Sequence, residues 1–113
     1  MEKLIAYKRM PLWNKQTMPE IVQQKHNIKV GTWGKITVVK GALKFIELTE
    51  DGEVLAEHLF QAGADNPMAQ PQAWHRVEAA TDDVEWYLEF YCRPEDYFSK
   101  KYQTNPVHSE VLE

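Results

Sequence analysis

The chain has 113 residues, 43% of them hydrophobic and 27% charged, with 13 Lys and Arg against 17 Asp and Glu for a formal net charge of −4. That length fits one domain able to bury roughly two thirds of its unfolded surface, the composition excludes disorder, and the acidic balance excludes nucleic acid as a partner because phosphates need a cationic face. No run approaches the ~20 apolar residues that span a bilayer, and MEKLIAYKRM lacks the apolar centre of a secretion signal, so no membrane partner and a cytoplasmic setting are expected.

The clearest patterned unit in chain order is KITVVKGALKFIELTEDGEVLAEHLF, residues 35 to 60. Lys40-Gly41 separates one strand from the next, and Asp51-Gly52 reads as a two-residue hairpin turn with positive φ, which predicts three consecutive antiparallel strands. Parity places Leu43, Phe45 and Glu47 on one face, with Val54, Ala56, His58 and Phe60 together on the following strand. The opposite faces carry Val39, Ile46, Leu48, Leu55 and Leu59, so both sides of this region are apolar.

Residues 61 to 73, QAGADNPMAQPQA, hold two prolines, Gly63 and an Asp-Asn pair, which predicts a long loop. It delivers the chain to WHRVEA, where His75, Val77 and Ala79 share one face and Trp74, Arg76 and Glu78 the other; the small apolar companions of His75 point its face inward. In VEWYLEFYC, residues 84 to 92, Val84, Trp86, Leu88 and Phe90 form the core face, leaving Glu85, Tyr87, Glu89 and Tyr91 outside. A tyrosine-rich outer face suits a homodimer interface, since Tyr joins a large contact area to a polar tip.

Pro94, Glu95 and Asp96 ahead of Lys100 and Lys101 match the dipole of a short helix over 94–101. The closing NPVHSEVLE reads as frayed, and Leu112-Glu113 as a cloning scar that leaves a single domain over 1–111. Period-two patterning over residues 35 to 92 makes the fold all-β, an antiparallel barrel or sandwich of about eight strands with little helix outside 94–101.

Catalytic signals are sparse. Cys92 is the one cysteine, which excludes an intrachain disulfide framework and any multi-cysteine zinc site. Ser99, Ser109 and Cys92 have no base nearby in sequence, and the carboxylate pairs Asp82-Asp83 and Glu50-Asp51 fall at turns, where carboxylates are solvated. Four tryptophans, Trp13, Trp33, Trp74 and Trp86, supply packing area, and one or two of them beside a histidine would suit a small ligand.

Taken together, MPLWNKQTMP, QQKHNIKVGTWGKITVVKG, QPQAWHRVEA and FYCRPEDYFSKKYQTN resemble the amino-terminal domain of the tellurite-resistance TehB family over nearly all 113 residues. More loosely, the stretch Trp13 to Thr17 and the pair Trp74-His75 resemble the stand-alone YeaR-like proteins. The resemblance implies a cupin-like double-stranded β-helix, or jelly roll. The longer family members carry a carboxy-terminal domain that binds S-adenosylmethionine through a glycine-rich loop. Gly31, Gly34, Gly41, Gly52 and Gly63 form no such loop, so methyltransferase activity is not expected of this chain.

Metal-binding cupins take two histidines and a glutamate from a motif that ends in glycine, then a final histidine from a later strand. Counted back from Gly41, the glutamate position falls at Gly34 and the paired histidine positions fall near residues 27–30, while His75 follows Pro71 at suitable spacing. His26 lies one or two residues from the first ligand position, within reach of a strand bulge.

Two functions follow from these readings. One is a non-catalytic binding or regulatory domain for a small molecule or an oxyanion, using His26, Glu47, His75 and Trp86 without a cofactor. His75, Arg76 or Lys35 would then serve as donors at the barrel mouth. The alternative is a metal-dependent cupin enzyme holding a divalent transition metal through His26, Glu47 and His75.

Overall fold

A computed structural model describes residues 3–97 and the backbone of residues 107–109. Chain order gives β1 (Ile5–Arg9), β2 (Trp13–Asn14), α1 (Glu20–Gln23), β3 (His26–Ile28), β4 (Thr32–Lys40), β5 (Ala42–Leu48), β6 (Val54–Gln61), β7 (Trp74–Ala79), β8 (Glu85–Cys92), α2 (Pro94–Tyr97) and β9 (Val107–Ser109). All strand pairings among these elements are antiparallel. They make two sheets. In the first, β8 pairs with β4 along one edge and with β1 and β2 along the other, and the second runs β6-β5-β7-β3-β9.

The first sheet follows from parity. Trp86, Leu88, Phe90 and Cys92 of β8 face inward, and β4 sets Val38, Ile36, Gly34 and Thr32 directly opposite them. Phe90 therefore stands beside Gly34, the residue with no side chain. A Cβ on Gly34 would come within 2.7 Å of Ile28 Cδ1, so the sheets approach closely at this point. The second sheet answers with Leu43, Phe45, Phe60, Val77 and Ile28, and one hydrophobic cluster fills the space between. Phe45 and Phe60 stack with centroids 5.0 Å apart. The result is the all-β architecture that the alternation predicts, consistent with the cupin-like fold that the family resemblance implies.

Two local readings need correction. The strands on either side of Lys40-Gly41 do not pair with each other: β4 pairs with β8, and β5 with β6 and β7. Gly41, at φ +69, carries the chain from one sheet to the other, and Thr81 Oγ1 accepts the Ala42 N–H at 3.0 Å beside it. A Cβ on Gly41 would fall 2.3 Å from that same hydroxyl oxygen. Nor is the β5–β6 connection a two-residue turn. Thr49 and Glu53 close a three-residue loop by backbone hydrogen bonding, and only its last residue, Gly52, has positive φ (+92). That is the arrangement in which a type I turn ends in a glycine bulge.

Residues 62–73 run as the expected loop, but a fastened one. Gly34 and Ala69 exchange backbone hydrogen bonds of 3.0 and 2.7 Å, and Gln72 N–H donates to Ile28 O at 2.7 Å. Gln72 sits in the left-handed region (φ 63), strained for a residue with a side chain. Helix α1 has no signal in the periodicity; it places Val22 in the core, at 3% exposure. Helix α2 begins at Pro94 as the sequence indicates, while residues 98–101 and Leu112-Glu113 lie outside the described residues. No helix among the described residues is long and apolar enough to cross a membrane.

Candidate functional site

Strands β3 and β7 set His26 and His75 directly opposite each other on the inward face. The two rings meet edge to face with centroids 4.4 Å apart, and each residue is only 4% exposed. His26 reaches this position by plain strand pairing, without the bulge that sequence counting invoked. Its Nδ1 lies 2.9 Å from Gln24 O. A carbonyl can only accept, so Nδ1 carries the hydrogen and the neutral ring keeps Nε2 as an acceptor.

These rings line a chamber between the sheets of about 20 Å³, with Trp86, Leu88 and Phe90 from β8, Ile36 from β4, Ala69 from the fastened loop and Val22 from α1 among its walls. That volume holds one water-sized guest. Two residues of the wall carry a buried ring nitrogen without a hydrogen-bond partner: His75 at Nδ1 and Trp86 at Nε1. The indole N–H is a donor only, and leaving such a group unsatisfied costs about 1–3 kcal/mol. Trp13 packs edge-on against Trp86 at 5.1 Å and fixes its orientation.

Burial holds both imidazoles below their ordinary value of 6.5, because a low-dielectric chamber disfavours the charged ring. For His75 the value falls to about 3, with the neighbouring His26 adding to the effect of burial and the Ala73 backbone opposing it. For His26 the opposing influence is the Gln24 carbonyl. Both rings are therefore neutral at physiological pH, and a ring with a pKa of about 3 is a poor proton acceptor in catalysis near pH 7.

The four residues singled out from the sequence fare differently. His26, His75 and Trp86 meet at the chamber. Glu47 is abreast of His75 in the β5–β7 pairing, yet its carboxylate turns to His58, with Oε2 2.6 Å from Nε2, and the Phe45 ring packs against His75 at 4.9 Å. Among the described residues no three His, Cys, Asp or Glu side chains are placed to hold a metal ion. The cationic donors expected at the mouth are elsewhere too. Arg76 is on the outer face of β7, bonded to Glu78 at 3.0 Å, and Lys35 lines a hollow on the outer face of the other sheet.

Sequence reasoning missed Ala69, Val22 and the part played by Trp13. The stretch Trp13 to Thr17 contained the signal for Trp13, because Asn14 Oδ1 accepts the N–H groups of Gln16 and Thr17 at 2.8 and 2.9 Å and Thr17 Oγ1 accepts the Asn14 N–H at 2.9 Å. This interlocked turn holds Trp13 against Trp86. Cys92 is fully enclosed, and burial together with Asp96 pushes its thiol up, the opposite of what a nucleophile requires.

Comparison with known proteins agrees with this architecture. A family model described as TehB-like domain matches residues 8–88, and one described as tellurite resistance protein TehB matches residues 90–113. The chain is 59% identical over 111 residues to a probable S-adenosyl-L-methionine-dependent methyltransferase TehB of Haemophilus influenzae strain Rd; the match covers 98% of this chain but 39% of that protein. It is 26% identical over 113 residues to the uncharacterized protein YeaR of Escherichia coli K12, covering 96% and 94%. The crystal structure of TehB from Haemophilus influenzae superposes with a TM-score of 0.84 at 60% identity, over 96% of this chain and 38% of that one. A second crystal structure, of an Escherichia coli K12 protein, gives 0.74 at 30% identity over 80% and 92%.

Proposed function

The chain belongs to the TehB-like domain family, and on that premise we propose that it is a binding domain, non-catalytic by itself, whose inter-sheet chamber takes a small uncharged polar guest. It would serve proteins concerned with tellurite resistance, in keeping with the tellurite resistance protein TehB family that residues 90–113 match. The observation that carries this reading is that two residues lining one chamber, His75 and Trp86, each carry a buried ring nitrogen without a hydrogen-bond partner. Trp86 offers a donor and His26 Nε2 an acceptor, so the guest must both accept and donate. Neutral imidazoles favour an oxyacid in its uncharged form over an oxyanion, since an anion would need a charged ring that burial opposes down to about pH 3. A guest larger than water must displace the Val22 wall contributed by α1.

Calorimetry and tryptophan emission with tellurite, selenite and phosphate test the reading. Heat and an emission change with tellurite or selenite are expected, both lost in His75→Leu. If all three give neither heat nor a thermal shift, the binding role fails. Self-association belongs to the same reading, and exposed Val39, Val54, Leu55 and Leu59 support it better than the tyrosine face does, because Tyr87 lies beneath the Arg9 guanidinium. Sedimentation showing only a 13.2 kDa species at high concentration would overturn the dimer. A cytoplasmic setting fits a chain whose only cysteine is free.

A further inference from the structure

A second concavity lies on the outer face of the β4–β8 sheet, away from the chamber. It has a volume of about 390 Å³, within the range of small-molecule sites. Its floor is rigid, made by two cross-strand pairs, Lys35 with Glu89 and Thr37 with Tyr87, in the middle of the longest ladder of the fold. Tyr87 is held in place by Arg9, whose guanidinium lies 4.0 Å from the ring centroid. The rim is residues 63–66 of the long loop, which the Gly34–Ala69 hydrogen bonds anchor to the free edge of β4.

The polar groups around this hollow are not used on one another. Lys35 and Glu89 face each other across the ladder but form no ion pair, and neither Lys35, Asp65 nor Glu89 has a side-chain hydrogen bond or ion pair among the described residues. Elsewhere on the surface such groups do pair, as in Lys15–Asp82 at 2.7 Å and Arg76–Glu78 at 3.0 Å. Asn66 adds a buried Nδ2 without an acceptor. The hollow thus presents two donors in want of an acceptor, the Lys35 ammonium and the Asn66 amide, beside two carboxylates in want of a donor.

We propose that this hollow binds a small zwitterion of the α-amino-acid class, its carboxylate received by Lys35 and Asn66 and its ammonium by Asp65 and Glu89. Charge-assisted hydrogen bonds of both signs at one site select a molecule carrying both charges over one carrying either alone. The hydroxyls of Thr37 and Tyr87 are the remaining floor groups that could meet a polar side chain.

The test uses L-serine and L-glutamine as probes, titrated into the intact chain by calorimetry and by amide chemical shifts. N-acetyl-L-glutamine lacks the ammonium and L-glutaminamide lacks the carboxylate. At least one free amino acid should bind with shifts concentrated at residues 35–37, 63–66 and 87–89, and the blocked forms should bind at least tenfold more weakly. Lys35→Met should weaken the amino acid while leaving the amide unaffected, and Glu89→Gln should weaken the amino acid while leaving the N-acetyl form unaffected. His75→Leu, in the separate chamber, should change none of this. The proposal is overturned if neither amino acid at 10 mM moves any of those amides, if the blocked forms bind equally well, or if binding survives both substitutions.

Discussion

Lowering the pH should destabilise the fold through His75 by an amount that can be worked out in advance. In the folded chain the imidazole binds its proton near pH 3, against 6.5 for the free side chain. Between those values the unfolded chain holds a proton that the folded chain refuses, so stability rises with pH across the window. The contribution is fully present above pH 6.5 and falls by about 1.4 kcal/mol per unit below it, reaching about 2.5 kcal/mol at pH 4.5 relative to pH 7. His26, shifted in the same direction by burial, adds a loss of the same sign. Against total stabilities of about 5–15 kcal/mol, this is enough to bring acid unfolding into an accessible range.

Urea unfolding of the wild type and His75→Leu at pH 7, 5.5 and 4.5 isolates the effect, because the carboxylates common to both chains cancel in the difference. At pH 7 the variant should be as stable as the wild type or slightly more so, since an unpartnered polar ring gives way to an apolar side chain in an apolar wall. At pH 4.5 it should lead by a further 2 kcal/mol or so, allowing His26 to relax once its neighbour is gone. Parallel pH profiles for the two chains would refute the reasoning, as would an imidazole resonance of folded His75 titrating near 6.5.

Gly41→Ala should cost about 2–4 kcal/mol in chemical denaturation, because it combines a positive φ with a Cβ 2.3 Å from Thr81 Oγ1; a loss under 0.5 kcal/mol would mean that the sheet crossing is not held as described. Trp86→Ala should cost about 3–5 kcal/mol, being a large aromatic truncated at 1% exposure, and should abolish the chamber response as well. Gln72→Gly should raise stability by up to about 1 kcal/mol by relieving its left-handed backbone, and a lowered melting temperature would contradict that. Cys92 should resist thiol reagents in the native state and react at the rate of unfolding; prompt labelling at neutral pH would show the thiol to be open.

How much of this was legible in the sequence depended on whether the signal was local. Strand parity placed His75, Val77, Trp86, Leu88 and Phe90 inward correctly, because alternation is a property of consecutive residues. The break at Gly41 was visible, but not that it changes sheets: a positive φ fixes a bend, while the arm before it takes its partner from β8, some 50 residues away, and the arm after it from β6 and β7. The same limit applies to the site. His26 opposite His75 is a consequence of register, and the diversion of Glu47 depends on His58 lying one strand over. The Val22 wall was invisible because a four-residue helix is too short to show a period.

The first sheet has a single hub. Strands β1, β2 and β4 all take their ladder partners from β8, so Ile5 waits for Cys92 and Trp13 for Trp86. A chain emerging from a ribosome can close the β5–β6 hairpin early, and β3 can join β7 once that strand is out, but β1, β2 and β4 have no ladder partner until residue 92 is free of the exit tunnel. Three strand edges then stay open together and close in one late step, and such non-local pairing is slow and exposed to misassociation. A stop or a pause placed shortly before Cys92 would therefore leave more than a shortened domain: it would leave three earlier strands, β1, β2 and β4, without a complete template.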